Sequence, residues 1–334
     1  MNTSWCSVED SDLVKQTDSL AYILLEIIQI VSCIAAIYFA NTVRYLQKKV
    51  YVHPNLKLLM ITYLLTIHLY SLTYSAIQMY HFLSRFLFVD CNRLVPVRIC
   101  ILFRGVLSIT SCEFSLLYLA IPLDIFLTRL IPYLNKSRII TFILTLITWI
   151  LSINFCYKSI FYDLQSNDYM YNCAFLTNKK ADSIRGIMNG FLTLDIASLL
   201  SFIALRIYNS VQQKVDKFLI SRYNLDRSLH FIETDRAILL LIPNIILHIV
   251  LYFWYSYGGI ILINHEKDIE NPATLWMLTY VSLPIYCFCA TGAWSLVLRR
   301  EKRRIDSQRQ LHENLEKDGA NSYFNGLKKM WADN

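Results

Sequence analysis

Four ionisable residues, Glu26, Arg104, Glu113 and Asp195, sit inside long apolar runs of this chain. A charge placed among apolar neighbours is costly, so such a group marks a binding position or a bond to a neighbouring segment. Arg104, Leu107, Ser108 and Ser111 follow the i, i+3, i+4, i+7 spacing of one helical face. That face would offer a cation, two hydroxyls and an apolar wall, which suits the lining of a pocket. In a low-dielectric pocket the guanidinium would favour an acidic or strongly accepting ligand. Glu113 lies nine residues beyond Arg104, about 900° round a helix, so it points the opposite way and is expected to bond a neighbouring segment. Asp195 and Trp254, from two later apolar runs, complete the candidate ligand set. Two alternatives stand beside this reading. Arg104 could snorkel to lipid headgroups, and Asp195 could serve as a hydrogen-bond partner of another helix.

Catalytic and metal chemistry find little support. His265-Glu266 does not extend to an HExxH pattern, and the seven histidines (His53, His68, His81, His230, His248, His265, His312) never recur at i, i+4. G-x-S-x-G and a Gly-rich phosphate loop are missing as well. The expectation is a protein that is not an enzyme and needs no cofactor or metal. No segment resembles a nucleic-acid module.

The elements that must position these residues are seven apolar stretches: Leu20–Val43, Leu58–Phe82, Ile99–Leu127, Ile139–Ile160, Ile184–Tyr208, Ala237–Gly258 and Thr274–Leu298. Each reaches roughly 20 residues, the length a helix needs to cross a bilayer. Backbone groups cannot be satisfied by water there, so the segments must be helical. The expected fold is all-α, a seven-transmembrane helix bundle over residues 20–298, with a terminal segment 1–19 and a tail 299–334. Lys and Arg concentrate in the first, third and fifth connections and in the tail, the last including Arg299, Arg300, Lys302, Arg303 and Arg304. The positive-inside rule then places the N-terminus outside and the C-terminus inside. Asn2-Thr3-Ser4 is a glycosylation sequon on the expected outer side, which marks Asn2. The first 19 residues carry Glu9, Asp10, Asp12 and Asp18 and no apolar core, so the first span is expected to act as the insertion signal without cleavage. The net charge of +7 fits contact between the inner face and anionic lipid. Both flanks of the fifth connection should extend as helices over much of Asn209–Arg236.

Cys6, Cys91, Cys100 and Cys173 fall on the expected outer side, where disulfides form, and allow three pairings. A Cys100–Cys173 bridge would pin the fourth connection over the mouth of the bundle, and Cys6–Cys91 would fasten the N-terminus to the second connection. Free thiols are the alternative. Aromatic residues crowd the outer ends of the spans, among them Tyr74, Tyr80, Phe155, Tyr252, Trp254, Tyr255 and Trp276. They suit an interfacial belt and an apolar pocket lining equally. Pro243 and Pro284 should kink spans six and seven.

His53-Pro54-Asn55-Leu56-Lys57 entering span two, the Cys91…Cys100…Arg104-Gly105 pattern around span three, and Ser221-Arg222-Tyr223-Asn224-Leu225 before span six carry a resemblance. The chain resembles the nematode serpentine chemoreceptors of class alpha or alpha/beta-like, over roughly residues 20–300. It departs from them at Asn224, where a Gln is usual, at Asp226-Arg227, and at Pro122-Leu123-Asp124, which lacks an Arg after the acid. The resemblance implies a G-protein-coupled receptor for olfaction, at the plasma membrane of sensory-neuron cilia, with the Cys100–Cys173 tie that such receptors carry. Its implied partners are a small-molecule ligand, membrane lipid and a heterotrimeric G protein, with dimerisation left open. Asp124, Arg129, Arg222 and Tyr223 are the expected G-protein contacts. A seven-span transporter or channel subunit is the alternative function. Repeat symmetry and paired broken helices, which transporters often show, are lacking.

Overall fold

The computed structural model describes residues 14–50, 54–88, 90–130, 139–160, 169–170, 172–173, 181–218, 225–265 and 271–332. Helix α1 (Leu20–Leu46) starts at Ser19, whose hydroxyl accepts from the Tyr22 amide at 3.3 Å. It is followed by α2 (Pro54–Leu87), α3 (Val97–Leu130), α4 (Ile139–Ile160), α5 (Ala181–Phe218), α6 (Leu225–His265), α7 (Pro272–Tyr280) and α8 (Ser282–Ala332). A 3-10 turn (Asp90–Arg93) and strand β1 (Val95–Pro96) join α2 to α3, and β1 pairs antiparallel with β2 (Tyr169–Met170) from the α4–α5 connection.

Among the described residues, seven helical segments are long and apolar enough to cross a membrane, the last formed by α7 with the first part of α8. The chain therefore forms the seven-transmembrane helix bundle expected from its apolar runs. Helices α5 and α6 continue past their apolar runs to Phe218 and from Leu225. The break between α7 and α8 falls at Val281. Pro284 has no N–H, so it cannot bond the Tyr280 carbonyl one turn earlier, which leaves a gap in the helical ladder beside that break.

The burial pattern explains the packing. On α1 the buried residues Tyr22, Glu26, Gln29, Cys33, Ala36, Ala40 and Val43 form one stripe, while Leu24, Ile28, Val31 and Ile34 are exposed. Small residues on that stripe let α1 approach α2 and α8 closely. Helix α3 packs against α2, α4 and α5 and has buried residues on nearly every side. Gly258 of α6 lies so close to α7 that a Cβ there would stand 2.9 Å from Thr279 Oγ1. The centre of the bundle is aromatic: Tyr63, Tyr70, Phe114, Tyr118, Tyr252, Tyr286 and Trp294 are all buried. The hydroxyls of Tyr63, Tyr118 and Tyr286 meet there, with Tyr118 and Tyr286 at 2.7 Å, Tyr63 and Tyr118 at 3.1 Å, and Tyr63 and Tyr286 closing the ring.

Candidate functional site

The bundle has a tied end and a tail end. At the tied end Cys100, in the first turn of α3, is bonded to Cys173 of the α4–α5 connection with an S–S separation of 1.96 Å. The same connection is held by hydrogen bonds. The Cys173 amide donates to His81 Nε2 at 3.1 Å. Asn172 is fully buried, and its Nδ2 donates to the Tyr22 hydroxyl at 2.9 Å and to Gln78 Oε1 at 3.4 Å. Its amide nitrogen also lies 3.9 Å from Met277 Sδ. Gln29 continues the polar layer, donating to the Met277 carbonyl at 3.0 Å and accepting from the Tyr74 hydroxyl at 3.1 Å. Asn172 and Cys173 of the connection thus plug the bundle between α1, α2 and α7.

Beneath the plug is the face of α3 expected from spacing. Arg104 is 4% exposed and within electrostatic reach of the Tyr255 and Tyr280 hydroxyls, whose rings meet edge to face at 5.1 Å. Its burial places it inside the bundle and away from the headgroups. Leu107 and Ser111 are buried on the same face, Ser111 donating to the Leu107 carbonyl at 2.8 Å, and Ser108 is half-buried. A buried cation beside two phenols, with an apolar wall below, is equipped to hold an acidic or accepting group.

Trp254 is placed differently from expectation, and Asp195 faces a neighbouring helix, as its alternative reading had it. Trp254 is 54% exposed on the outside of α6, with its indole N–H directed at the Leu278 carbonyl at 3.4 Å. Its inward placement is corrected by helix phase. His248, Tyr252 and Ser256 recur at i, i+4 and form the buried stripe of α6, and Trp254 falls between them on the other side. Trp254 thus joins Tyr80, Phe155, Tyr157 and Tyr257 in the exposed set of aromatics, whereas Tyr74, Tyr252 and Trp276 are interior. Asp195 is buried, but it pairs with His248, Nδ1 to Oδ2 at 3.2 Å. The imidazole packs among Tyr118, Tyr252 and Tyr286 at ring separations of 5.3, 5.0 and 4.7 Å. Asp195 therefore joins α5 to α6.

The remaining carboxylates bind their neighbours. Glu113 is fully buried and accepts from Thr148 at 2.7 Å and Ser152 at 2.8 Å, both on α4. Asp124 is also corrected: it is 3% exposed and accepts from Thr141 of α4 at 2.7 Å, so it offers no surface to a partner protein. Glu26 is paired with Arg85 at 2.5 Å. The apolar run ends at Phe82, yet α2 continues to Leu87 and carries Arg85 within the helix. Arg104 is therefore not alone as a guanidinium within a span. Asn2, Cys6, Arg222 and Tyr223 lie outside the described residues, as do the side chains of Cys91 and Arg129.

Residues not singled out from sequence include Asn172, His81, His248, Arg85 and Tyr280. Asn172 precedes a cysteine expected to be bridged, which was a usable hint. The pairing of Asp195 with His248 depends on the rotation of two helices that sequence does not set.

No curated protein matches the chain. The family described as serpentine type 7TM GPCR receptor class ab chemoreceptor matches residues 9–332. The match spans nearly the whole of this seven-span chain, and the chain belongs to the serpentine class ab chemoreceptors.

Proposed function

We propose that this receptor binds a small acidic or strongly accepting molecule beneath the plug and signals to a heterotrimeric G protein at the tail end. The observation that carries the reading is Arg104, buried beside Tyr255 and Tyr280 and above Leu107 and Ser111. In this reading the tied end faces outward, Asn2 carries a glycan and Cys6 pairs with Cys91. The receptor works at the plasma membrane of sensory cilia. Arg129, Arg222 and Tyr223, with the long ends of α5, α6 and α8, form the G-protein side, and the basic start of the tail meets anionic lipid. Ligand binds better to the state in which the tail ends separate, and so shifts the population towards it. Asp195 and His248, which face each other across α5 and α6 at 3.2 Å, are the contact such a separation would load.

The test is a compound screen in cells expressing the chain, followed by dose–response curves for variants at matched surface level. Arg104→Ala removes a charge-assisted bond, so potency for an acidic agonist should fall by about 1.5–3 kcal/mol, roughly ten- to a hundredfold. Leu107→Trp should block the pocket by volume. Glu113→Gln should leave potency unchanged, because Glu113 bonds to α4. Unchanged potency in both Arg104→Ala and Leu107→Trp would place the ligand elsewhere.

A further inference from the structure

A second polar recess lies at the rim of the tied end, apart from Arg104 and independent of the reading above. It is lined by Thr17, Tyr22, His81, Ser84, Arg85 and Arg93. Two guanidiniums converge there on one carboxylate. Asp18 Oδ1 lies 2.6 Å from Arg93 Nη1 and 3.9 Å from Arg85 Nε.

Each guanidinium is fixed by something other than Asp18. Arg85 is paired with the fully buried Glu26 and lies over the rings of Tyr22 and Phe82, at 5.2 and 6.0 Å. Arg93 donates through Nε to the Phe88 carbonyl at 3.0 Å. Both arginines are largely buried, whereas the Asp18 side chain is 47% exposed and sits in the turn before α1. The two cations are thus preorganised, and their shared anion is the exposed member of the arrangement. Removing Asp18 leaves two positive charges against Glu26, a net charge that suits a monoanion.

We propose that Arg85 and Arg93 form an oxyanion seat, occupied here by Asp18, which an external monoanionic carboxylate or lipid headgroup phosphate takes by displacing that side chain. The planar guanidinium suits either oxyanion. Displacement releases the Asp18 side chain from both arginines, which gives the tied end an anion-responsive contact separate from the pocket.

The probe is acetate, measured by saturation-transfer NMR on the full chain in phosphatidylcholine nanodiscs, with chloride holding ionic strength constant. In the wild type the tethered Asp18 competes, so Asp18→Asn should bind acetate on the order of tenfold more tightly. Asp18→Ala should behave alike, and adding Arg93→Gln should abolish the gain. Including phosphatidylglycerol in the discs separates the sources. Loss of acetate binding in Asp18→Asn assigns the seat to a headgroup, and retained binding assigns it to a soluble carboxylate. Acetate binding no tighter in both Asp18 variants than in the wild type, or tighter binding that survives Arg93→Gln, overturns the proposal.

Discussion

The two ends of the bundle are built on different principles. The tied end is cross-linked: a disulfide, the Glu26–Arg85 pair and the contacts of Asn172 join α1, α2, α3, α7 and the α4–α5 connection. The tail end is elongated: α5, α6 and α8 run past the apolar core. The ion pairs described on α8 there, Arg304–Glu301 at 3.8 Å and Arg309–Glu313 at 3.0 Å, join residues of one helix. Such pairs stiffen a helix without fixing it to a neighbour. The difference teaches where motion is cheap. Opening the tied end breaks bonds between several elements at once, whereas the tail helices can tilt with their internal bonds intact.

The largest expected blow to this contrast is Cys173→Ser. The bond closes a loop with a sequence separation of 73 residues, and loss of a native disulfide costs about 2–5 kcal/mol in small secreted domains. Thermal unfolding in nanodiscs should shift down strongly, and much of the protein should be retained in the endoplasmic reticulum. A variant as stable as the wild type would mean that the tied end does not depend on its tie. A smaller loss is expected for Asn172→Ala, which strips partners from buried groups of Tyr22 and Gln78 and should cost about 1–3 kcal/mol. Hydrogen exchange should then quicken in the adjoining turns of α1 and α2 and stay unchanged in the tail half of α8. The smallest effect belongs to the tail. Arg309→Ala removes an exposed i, i+4 pair worth about 0.3–0.5 kcal/mol and should leave the unfolding midpoint nearly where it was. A shift as large as that of Asn172→Ala would erase the distinction between the ends.

How much of this was legible in the sequence follows the same division. The spans could be read because an apolar run of membrane length has few alternatives. The Arg104 face could be read because Arg104, Leu107 and Ser111 share one helix, whose period fixes their relation. Errors arose where a second helix had to be oriented. An aromatic residue near a span end reads as interior, but the stripe His248, Tyr252 and Ser256 sets the phase of α6 and turns Trp254 outward. Asp124 near the end of a span reads as a surface group, but Thr141 of α4 draws it inward. The drop in hydropathy after Phe82 marks the end of the apolar run and not the end of α2. The buried Glu26 on another helix explains why α2 can hold the charge of Arg85 on its way to Leu87.

Asn172 also has a consequence for biosynthesis. Cys100 and Cys173 are both made before α5, so their bond can close while the rest of the chain is still being translated. The seat for Asn172 is incomplete at that moment, because Met277 belongs to α7 and is added about a hundred residues later. Tyr22 and Gln78 precede Asn172 in the chain, so its hydrogen bonds to them can form as early as the covalent clasp. The contacts of Asn172 and Gln29 with Met277 must wait for α7, so the polar layer of the tied end is completed only when the last span arrives.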